Sequence, residues 1–145
     1  MKVAVIGSRH FMNYLMVKDY LDRLNQMRRI TAIVSGGASG ADSLGERWAD
    51  SNGVDKIIYE AEWDNLTYPD AIIRTNPRGK QYDAKAGMRR NILIIDNCDV
   101  VLAFWDMHSP GTRSAVQQAK KIHRPIKVIK IPATVTRAQW NLQNS

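Results

Sequence analysis

Five short apolar segments recur along the chain, with longer segments of helical spacing between them. They begin at Val3, Ile30, Asp55, Asp99 and Ile126 and have the sequences VAVIG, ITAIVSG, DKIIY, DVVLAFW and IKVIKI. The first, second and fourth are apolar nearly throughout and rich in β-branched residues, which is typical of strands covered on both faces. Two lysines interrupt the fifth segment, so we expect it nearer an edge of the sheet.

Four segments with helical spacing lie between or after these strands: YLMVKDYLDRLNQM, GADSLGERWADS, GMRRNILIIDN and GTRSAVQQAKKI. Strand alternating with helix through the whole chain predicts an α/β fold, with a single doubly wound parallel sheet of about five strands flanked by helices. In such sheets ligands bind beyond the carboxyl ends of the strands, near the point where the strand order reverses.

The length of 145 residues favours one domain, which we assign to residues 1–131, followed by a C-terminal tail over 132–145. The tail would dock through Trp140 or fray. Residues 61–86 have no clear periodicity, and a connection of this length is usually a functional loop, a lid or an insertion. A short helical turn is expected within it, around Tyr68 to Ile73.

The composition bears on the ligand and on the cellular location. A net charge of +7, from 21 Lys+Arg against 14 Asp+Glu, favours anionic ligands such as nucleotides and nucleic acids, although the basic residues form no dense tract. The only cysteine, Cys98, cannot form an internal disulfide and is expected to be buried at a strand entrance. No segment suits a signal peptide or a membrane span, so we expect a cytoplasmic protein without a membrane partner.

Glycine-containing loops follow the first, second and fourth strands, with the sequences GSRHF, SGGASGAD and FWDMHSPGT. Glycine allows positive φ and close approach of a ligand, and the helix after each loop offers unpaired N–H groups and the positive end of its dipole. Arg9 would clamp a phosphate or a carboxylate. Further hydroxyl donors on these loops are Ser8, Ser35, Ser39, Ser109 and Thr112.

Each loop taken alone has a simpler interpretation. Gly36, Gly37 and Gly40 would serve only a tight turn, with Asp42 capping the helix that follows. Three such loops at equivalent strand ends favour a ligand site instead. The pattern matches neither the P-loop nor the G-x-G-x-x-G dinucleotide motif, which argues against routine ATP hydrolysis and hydride transfer.

Several further residues have two interpretations each. The segment MRRN places Arg90 and Asn91 near the start of a helix, either as a solvated basic turn or as phosphate ligands. Trp105 is either a stacking platform for a base or a core residue. Trp48 and Trp63 are interpreted as core or loop-packing residues.

The three histidines, His10, His108 and His123, have no metal-ligand spacing, and no metal site is predicted. With Asp106 nearby in the sequence, His108 is a candidate for an acid–base pair.

The segments GSRHF, IVSGGASGADSLGERWA, AGMRRN and VVLAFWDMHSPGT resemble, in order and spacing, the small bacterial and bacteriophage proteins of the YspA type. These belong to the SLOG superfamily, named for the Smf/DprA and LOG proteins. The resemblance extends from Met1 to about Ile131. It implies a Rossmann-like fold and a pocket for a nucleotide or an ADP-ribose-like ligand, in a sensor or a sequestering protein, with no cofactor identified.

The resemblance also assigns site residues. The family's first loop corresponds to Gly7, Ser8, Arg9 and Phe11, its glycine loop to Gly36, Gly37, Ala38, Gly40, Ala41 and Asp42, its RN pair to Arg90 and Asn91, and its last loop to Ser109, Gly111 and Thr112. These motif residues, without Phe11 and Ala41 and with Ser35, Ser39 and Trp105 added from the residues themselves, are the candidate ligand-binding residues. Many relatives assemble, so a homo-oligomer, a dimer or larger, is expected.

Two departures from the family pattern bear on function. The connection from Trp63 to Ala86 is longer than usual, which suggests an added flap or interface. LOG enzymes, which cleave the N-glycosidic bond of nucleoside 5′-monophosphates, carry glutamates directly after the glycine–threonine pair of the last loop, where this chain has Arg113, Ser114 and Ala115. The catalytic residues are therefore unknown.

Three functions remain open. The first is binding of a nucleotide-derived ligand. The second is enzymatic activity on nucleoside monophosphates, as a phosphohydrolase or as an N-glycosidase in which Asp42, Glu46 or Asp106 would have to supply the carboxylate. The third is binding of single-stranded nucleic acid, suggested by the charge and by the likeness to DprA.

Overall fold

The computed structural model describes residues 1–133 and forms seven strands and four helices within them. In chain order they are β1 (Lys2–Gly7), α1 (Tyr14–Met27), β2 (Ala32–Ser35), α2 (Ala41–Asn52), β3 (Asp55–Ile58), β4 (Ile73–Thr75), β5 (Gln81–Asp83), α3 (Ala86–Asp96), β6 (Val100–Trp105), α4 (Pro110–Lys121) and β7 (Ile126–Lys130). All five predicted strands and all four predicted helices are present, and the short strands β4 and β5 were not predicted.

The main sheet has five parallel strands in the order β3-β2-β1-β6-β7. From β1 the chain moves outward through β2 to β3 and then returns to the other side of β1, where β6 pairs with it. The strand order therefore reverses between β1 and β6. This arrangement confirms the predicted doubly wound α/β fold.

Burial follows the predicted apolar pattern. Most residues of β1, β2 and β6 are buried, whereas β7 at the sheet edge is only partly so. Along β1, Val3 and Val5 face a core that includes Trp48, while Ala4 and its neighbours on the other face pack in a second core with Ile94. The alternation of side chains along a strand produces these two cores, and helices cover both faces.

The 61–86 segment, which we call the insertion, contains an antiparallel hairpin of β4 and β5. The Asn76 side chain stabilises the hairpin turn, because its oxygen accepts the N–H groups of Arg78 and Lys80, both at 3.0 Å. The helical turn predicted around Tyr68 to Ile73 is reduced to one hydrogen-bonded turn, in which the N–H of Ala71 donates to the Tyr68 carbonyl at 3.0 Å. Ile73 already belongs to β4.

Asp83 anchors the insertion to α3. Its buried carboxylate accepts the N–H groups of Ile72 and Lys85 and forms an ion pair with Arg89. Burial alone would raise the pKa of Asp83, but these partners, Arg89 foremost, hold it below its ordinary value. Arg89 also forms an ion pair with Asp70 at 2.7 Å. Both ion pairs of this arginine of the MRRN segment are therefore with residues of the insertion.

Cys98 is buried, and its burial raises the pKa of the thiol to about 11, consistent with a packing role. None of the four helices in residues 1–133 is long and apolar enough to cross a membrane. Trp140 and most of the predicted tail lie outside the described residues. The expectation of a homo-oligomer stays a prediction.

Candidate functional site

Two adjoining chambers lie at the carboxyl edge of the main sheet. The first chamber, of about 290 Å³, lies between the ends of β1 and β6 and the start of α4, where the strand order reverses. The second chamber, of about 340 Å³, lies beside the glycine loop after β2 and reaches residues 60–63 after β3. Arg9, Ala38 and Arg90 line both chambers, and we call these three residues the neck.

Most of the sequence-predicted site residues line these chambers. Those in the first chamber are Gly7, Ser8, Arg9, Ala38, Asp42, Arg90, Asn91, Ser109, Gly111 and Thr112, and the second chamber adds Gly36, Gly37 and Ser39. The four motifs therefore converge on one cleft although they are far apart in the sequence.

Three predicted residues lie behind the cleft surface. Ser35 is buried, and its hydroxyl donates to Glu46 at 2.9 Å. Gly40 packs against the first loop. Trp105 is 8% exposed in the core, and its indole N–H donates to the Ser109 carbonyl at 3.1 Å. The structure thus places Trp105 as a core residue that supports the last loop.

The first two loops hold each other in position. The N–H of Ala41 donates to the Ser8 carbonyl at 3.2 Å, which ties the start of α2 to the first loop. A Cβ on Gly40 would lie 2.2 Å from the same carbonyl oxygen, so the approach depends on glycine. Gly37 has a φ of 69°, in the left-handed region that glycine adopts without strain.

The carboxylate of Asp42 points back into the glycine loop rather than capping α2. It accepts the N–H of Gly36 at 3.0 Å, and the residue at the helix cap is Gly40. Burial raises the pKa of Asp42 to about 6, although the N–H of Gly36 and the guanidinium of Arg90 favour the charged form. Asp42 is therefore a buried acid that lines the first chamber and has a pKa of about 6.

Arg90 connects α3 to the glycine loop. Its guanidinium donates to the Gly36 carbonyl at 2.7 Å and, through Nε, to the Asn91 side chain at 2.9 Å. A Cβ on Gly36 would lie 2.5 Å from the Arg90 guanidinium, so glycine there makes room for the arginine. Burial lowers the pKa of Arg90 and Asp42 opposes that change, but an arginine remains charged.

The last loop presents the start of α4 to the first chamber. Asn91 donates to the Gly111 carbonyl at 2.9 Å. Pro110 occupies the start of the helix, and the N–H groups of Gly111 and Thr112 in the first turn have no partner within the helix. These amides and the positive end of the helix dipole favour an anion in the chamber.

Asp106 stabilises the last loop by accepting hydrogen bonds. It accepts the hydroxyl and the N–H of Ser109 and the N–H of His108, all within 3.0 Å. Burial acts in the other direction, but these hydrogen bonds hold the pKa of Asp106 below its ordinary value. The contact between Asp106 and His108 is thus made through the backbone, and the proposed acid–base pair gains no side-chain contact.

Sequence reasoning missed two aromatic side chains of the cleft. Trp63, interpreted as a packing residue, lines the second chamber and is 36% exposed. His10 lines the first chamber. The usable signal for Trp63 was its position five residues beyond the end of β3, at the same sheet edge as the glycine loops.

The buried carboxyl of Asp42 makes a pH-dependent contribution to stability. Its folded pKa, about 6, lies above the unfolded value near 3.8, so the unfolded state loses this proton first as the pH rises. From pH 4 to 6 this group therefore lowers the free energy of unfolding, by roughly 2 to 3 kcal/mol. We expect Asp42→Asn to match the wild type at pH 4 and to exceed it by about that amount at pH 7.

Urea unfolding of both proteins at the two pH values measures this difference. Asparagine can still accept the Gly36 N–H, so the comparison isolates the charge. A difference in unfolding free energy that is the same at both pH values would contradict the assignment of a raised pKa to Asp42.

The structure is a doubly wound sheet with three glycine loops and an arginine at its switch point. Comparisons of the sequence with a family model and with a phage protein agree with this geometry. The model of the YspA, cpYpsA-related SLOG family matches residues 1–65. Gene 61 protein of Mycobacterium phage D29 is 30% identical over 132 residues, which cover 86% of this chain and 93% of that protein. The chain belongs to the YspA-related SLOG family.

Solved structures share the fold. DNA processing protein A from Helicobacter pylori, described for its single-stranded DNA binding mode, has a TM-score of 0.63 and 22% identity over 99% of this chain and 72% of its own. DprA from Streptococcus pneumoniae has a TM-score of 0.67 and 24% identity over 99% of this chain and 56% of its own. The structural genomics target TM1055 has a TM-score of 0.56 and 20% identity over 86% and 71%. The TM-scores establish a common fold, and at these identities the likeness shows the fold alone.

Proposed function

We propose that the protein binds a nucleotide or a nucleotide-derived ligand, with a phosphate in the first chamber and at the neck, as a sensor or a sequestering module. The observation that carries this proposal is the convergence of Arg9, Arg90 and the amino end of α4 on one chamber at the switch point of the sheet. Ligands of open α/β sheets bind at this position.

The donors of the chamber suit a phosphate. A guanidinium offers several N–H donors in a fixed plane, and charge-assisted hydrogen bonds to phosphate oxygens are strong. The amides of Gly111 and Thr112 add donors from the helix start. The hydrogen bonds of Arg90 to Gly36 and Asn91 fix its position before a ligand arrives, which reduces the entropic cost of binding.

Thermal shift and calorimetry with the full-length protein test this proposal. AMP, ADP, ATP, NAD and ADP-ribose are compared with adenosine, which has the base and sugar but no phosphate. We expect at least one phosphate-bearing compound to raise the melting temperature and adenosine to have little effect. No shift with any of them, or a shift as large with adenosine, would contradict it.

We expect the ligand to be recovered intact. Of the residues within 1–133 that line the first chamber, Asp42 alone carries a carboxylate, and the N–H of Gly36 occupies one of its oxygens. Glu46 accepts the Ser35 hydroxyl and Asp106 holds the last loop. Chromatography of the recovered samples tests this point. Release of free base would favour N-glycosidase activity, with Asp42 as the acid to replace first.

Binding of single-stranded nucleic acid is the second candidate, and Trp63 beside the neck arginines is the observation that favours it. Basic grooves with aromatic side chains bind single strands through stacking and phosphate contacts. The described binding mode of the H. pylori relative and the net charge of +7 support the same direction. Affinity for a short oligodeoxynucleotide that falls steeply with salt would favour this candidate over a free nucleotide.

A further inference from the structure

We infer that the second chamber is a base-binding subsite in which Trp63 stacks on a nucleobase, so that the cleft takes two nucleosides joined through a phosphate at the neck. This inference rests on the proposed function of the same cleft. The shared chemistry is a dinucleoside unit, which is either a free dinucleotide or two adjacent nucleotides of a single strand.

Trp63 differs from the other tryptophans in the described residues by its access to the cleft. Trp48 is fully buried and Trp105 is 8% exposed, whereas Trp63 is 36% exposed and lines the second chamber. The chamber is otherwise formed mostly by small loop residues and by the polar side chains of Arg9, Arg90 and Glu60. An aromatic face in such a setting suits a planar base, because every base has a face that stacks.

The surroundings of Trp63 hold it in place. Its carbonyl accepts the N–H of Asp83 at 2.9 Å, and Asp83 is itself anchored by Arg89. The indole meets the Tyr82 ring edge to face, with centroids 6.3 Å apart. The outer edge of the indole packs against Gly87 of α3, and a Cβ added to Gly87 would lie 3.0 Å from the nearest indole carbon. A side chain fixed in this way loses little freedom when a base binds to it.

The volumes of the two chambers and the residues that they share indicate how long a ligand the cleft accommodates. They are similar in volume, each near the lower end of the range for small-ligand pockets, and they meet at two arginines. A mononucleotide with its phosphate at the neck would fill one chamber and leave the other to water. A dinucleoside unit would place its linking phosphate at Arg9 and Arg90 and one base on each side.

Calorimetry with the full-length protein tests the inference. The probes are AMP, diadenosine diphosphate and the dinucleotide d(pApA), each titrated into wild type, Trp63→Ala, Trp63→Leu and Trp63→Phe. We expect wild type to bind one of the two-nucleoside probes at least about tenfold more tightly than AMP. The alanine and leucine variants should lose most of that advantage, about 5- to 100-fold, while AMP affinity changes by less than about threefold.

Two substitutions control for packing. Trp63→Phe keeps an aromatic face and should retain most of the advantage, and Trp63→Leu keeps apolar bulk in case the alanine variant is unstable. Leu66→Ala lies in the same insertion, is equally exposed and lines neither chamber, so it should change no affinity. Tighter binding of diadenosine diphosphate indicates a free dinucleotide, and tighter binding of d(pApA) indicates a strand.

The two proposals fail in different ways. Equal affinity of wild type for AMP and both longer probes, or an equal loss for all probes in Trp63→Ala and Trp63→Leu, overturns the two-nucleoside ligand and leaves nucleotide binding intact. An absence of binding by AMP and by both longer probes overturns the subsite, and it overturns the proposed function as well when ADP, ATP, NAD and ADP-ribose also leave the melting temperature unchanged.

Discussion

Gly40→Ala is expected to lower the free energy of unfolding by at least about 3 kcal/mol. Gly40 has φ 78° and ψ −131°, a conformation that is strained for any residue with a Cβ. The added Cβ would also lie 2.2 Å from the Ser8 carbonyl oxygen and 2.5 Å from the Arg9 carbonyl carbon. Both are backbone atoms of the first loop, so relief of the clash requires that the two loops separate.

Gly53→Ala is the matched control for backbone strain. Gly53 also has positive φ, 62°, but a Cβ there would meet nothing within 4 Å. Its replacement should cost about 1 to 2 kcal/mol, the ordinary penalty for a left-handed L-residue. Urea unfolding of both variants measures the difference. Equal losses would mean that the loops can separate freely and that their close approach does not define the cleft.

The fold was predictable because its signals are local. β1, β2 and β6 are continuous apolar segments, and the helices between them have regular spacing, so the sequence patterns determine a doubly wound sheet. The hairpin of β4 and β5 escaped prediction because each strand has three residues and is largely exposed. Asp83 anchors it through an ion pair with Arg89 and through the N–H groups of Ile72 and Lys85, contacts that no sequence periodicity predicts.

The site was predictable where backbone geometry decides it and unpredictable where side-chain direction does. Glycines after the carboxyl ends of parallel strands indicate loops at the same edge of the sheet, and this inference does not depend on the orientation of any side chain. Arg89 and Arg90 are adjacent in the sequence, yet one anchors the insertion and the other reaches the glycine loop. Trp105 and Trp63 are both near strand ends, but the first belongs to β6 and faces the core. Only the packed structure distinguishes the members of each pair.

Arg90→Ala is expected to weaken binding of a phosphate-bearing ligand by about 10- to 100-fold, as the loss of a charge-assisted hydrogen bond predicts. Affinity for the corresponding nucleoside should change by less than about threefold, because the base and sugar do not depend on the guanidinium charge. Arg90 is suited to this role because Gly36 and Asn91 accept its hydrogen bonds and leave its remaining donors near the neck.

Calorimetry with AMP and adenosine measures what the charge of Arg90 contributes to phosphate binding, and a thermal melt measures what Arg90 contributes to stability. Arg90→Lys keeps a positive charge but loses the planar arrangement of donors, so it should fall between alanine and wild type. Arg113→Ala is the matched control, since Arg113 is an arginine of α4 that contacts the Met107 carbonyl and lines neither chamber. Equal losses for AMP and adenosine in Arg90→Ala would mean that Arg90 shapes the glycine loop and that another group, with Arg9 the first to examine, holds the phosphate.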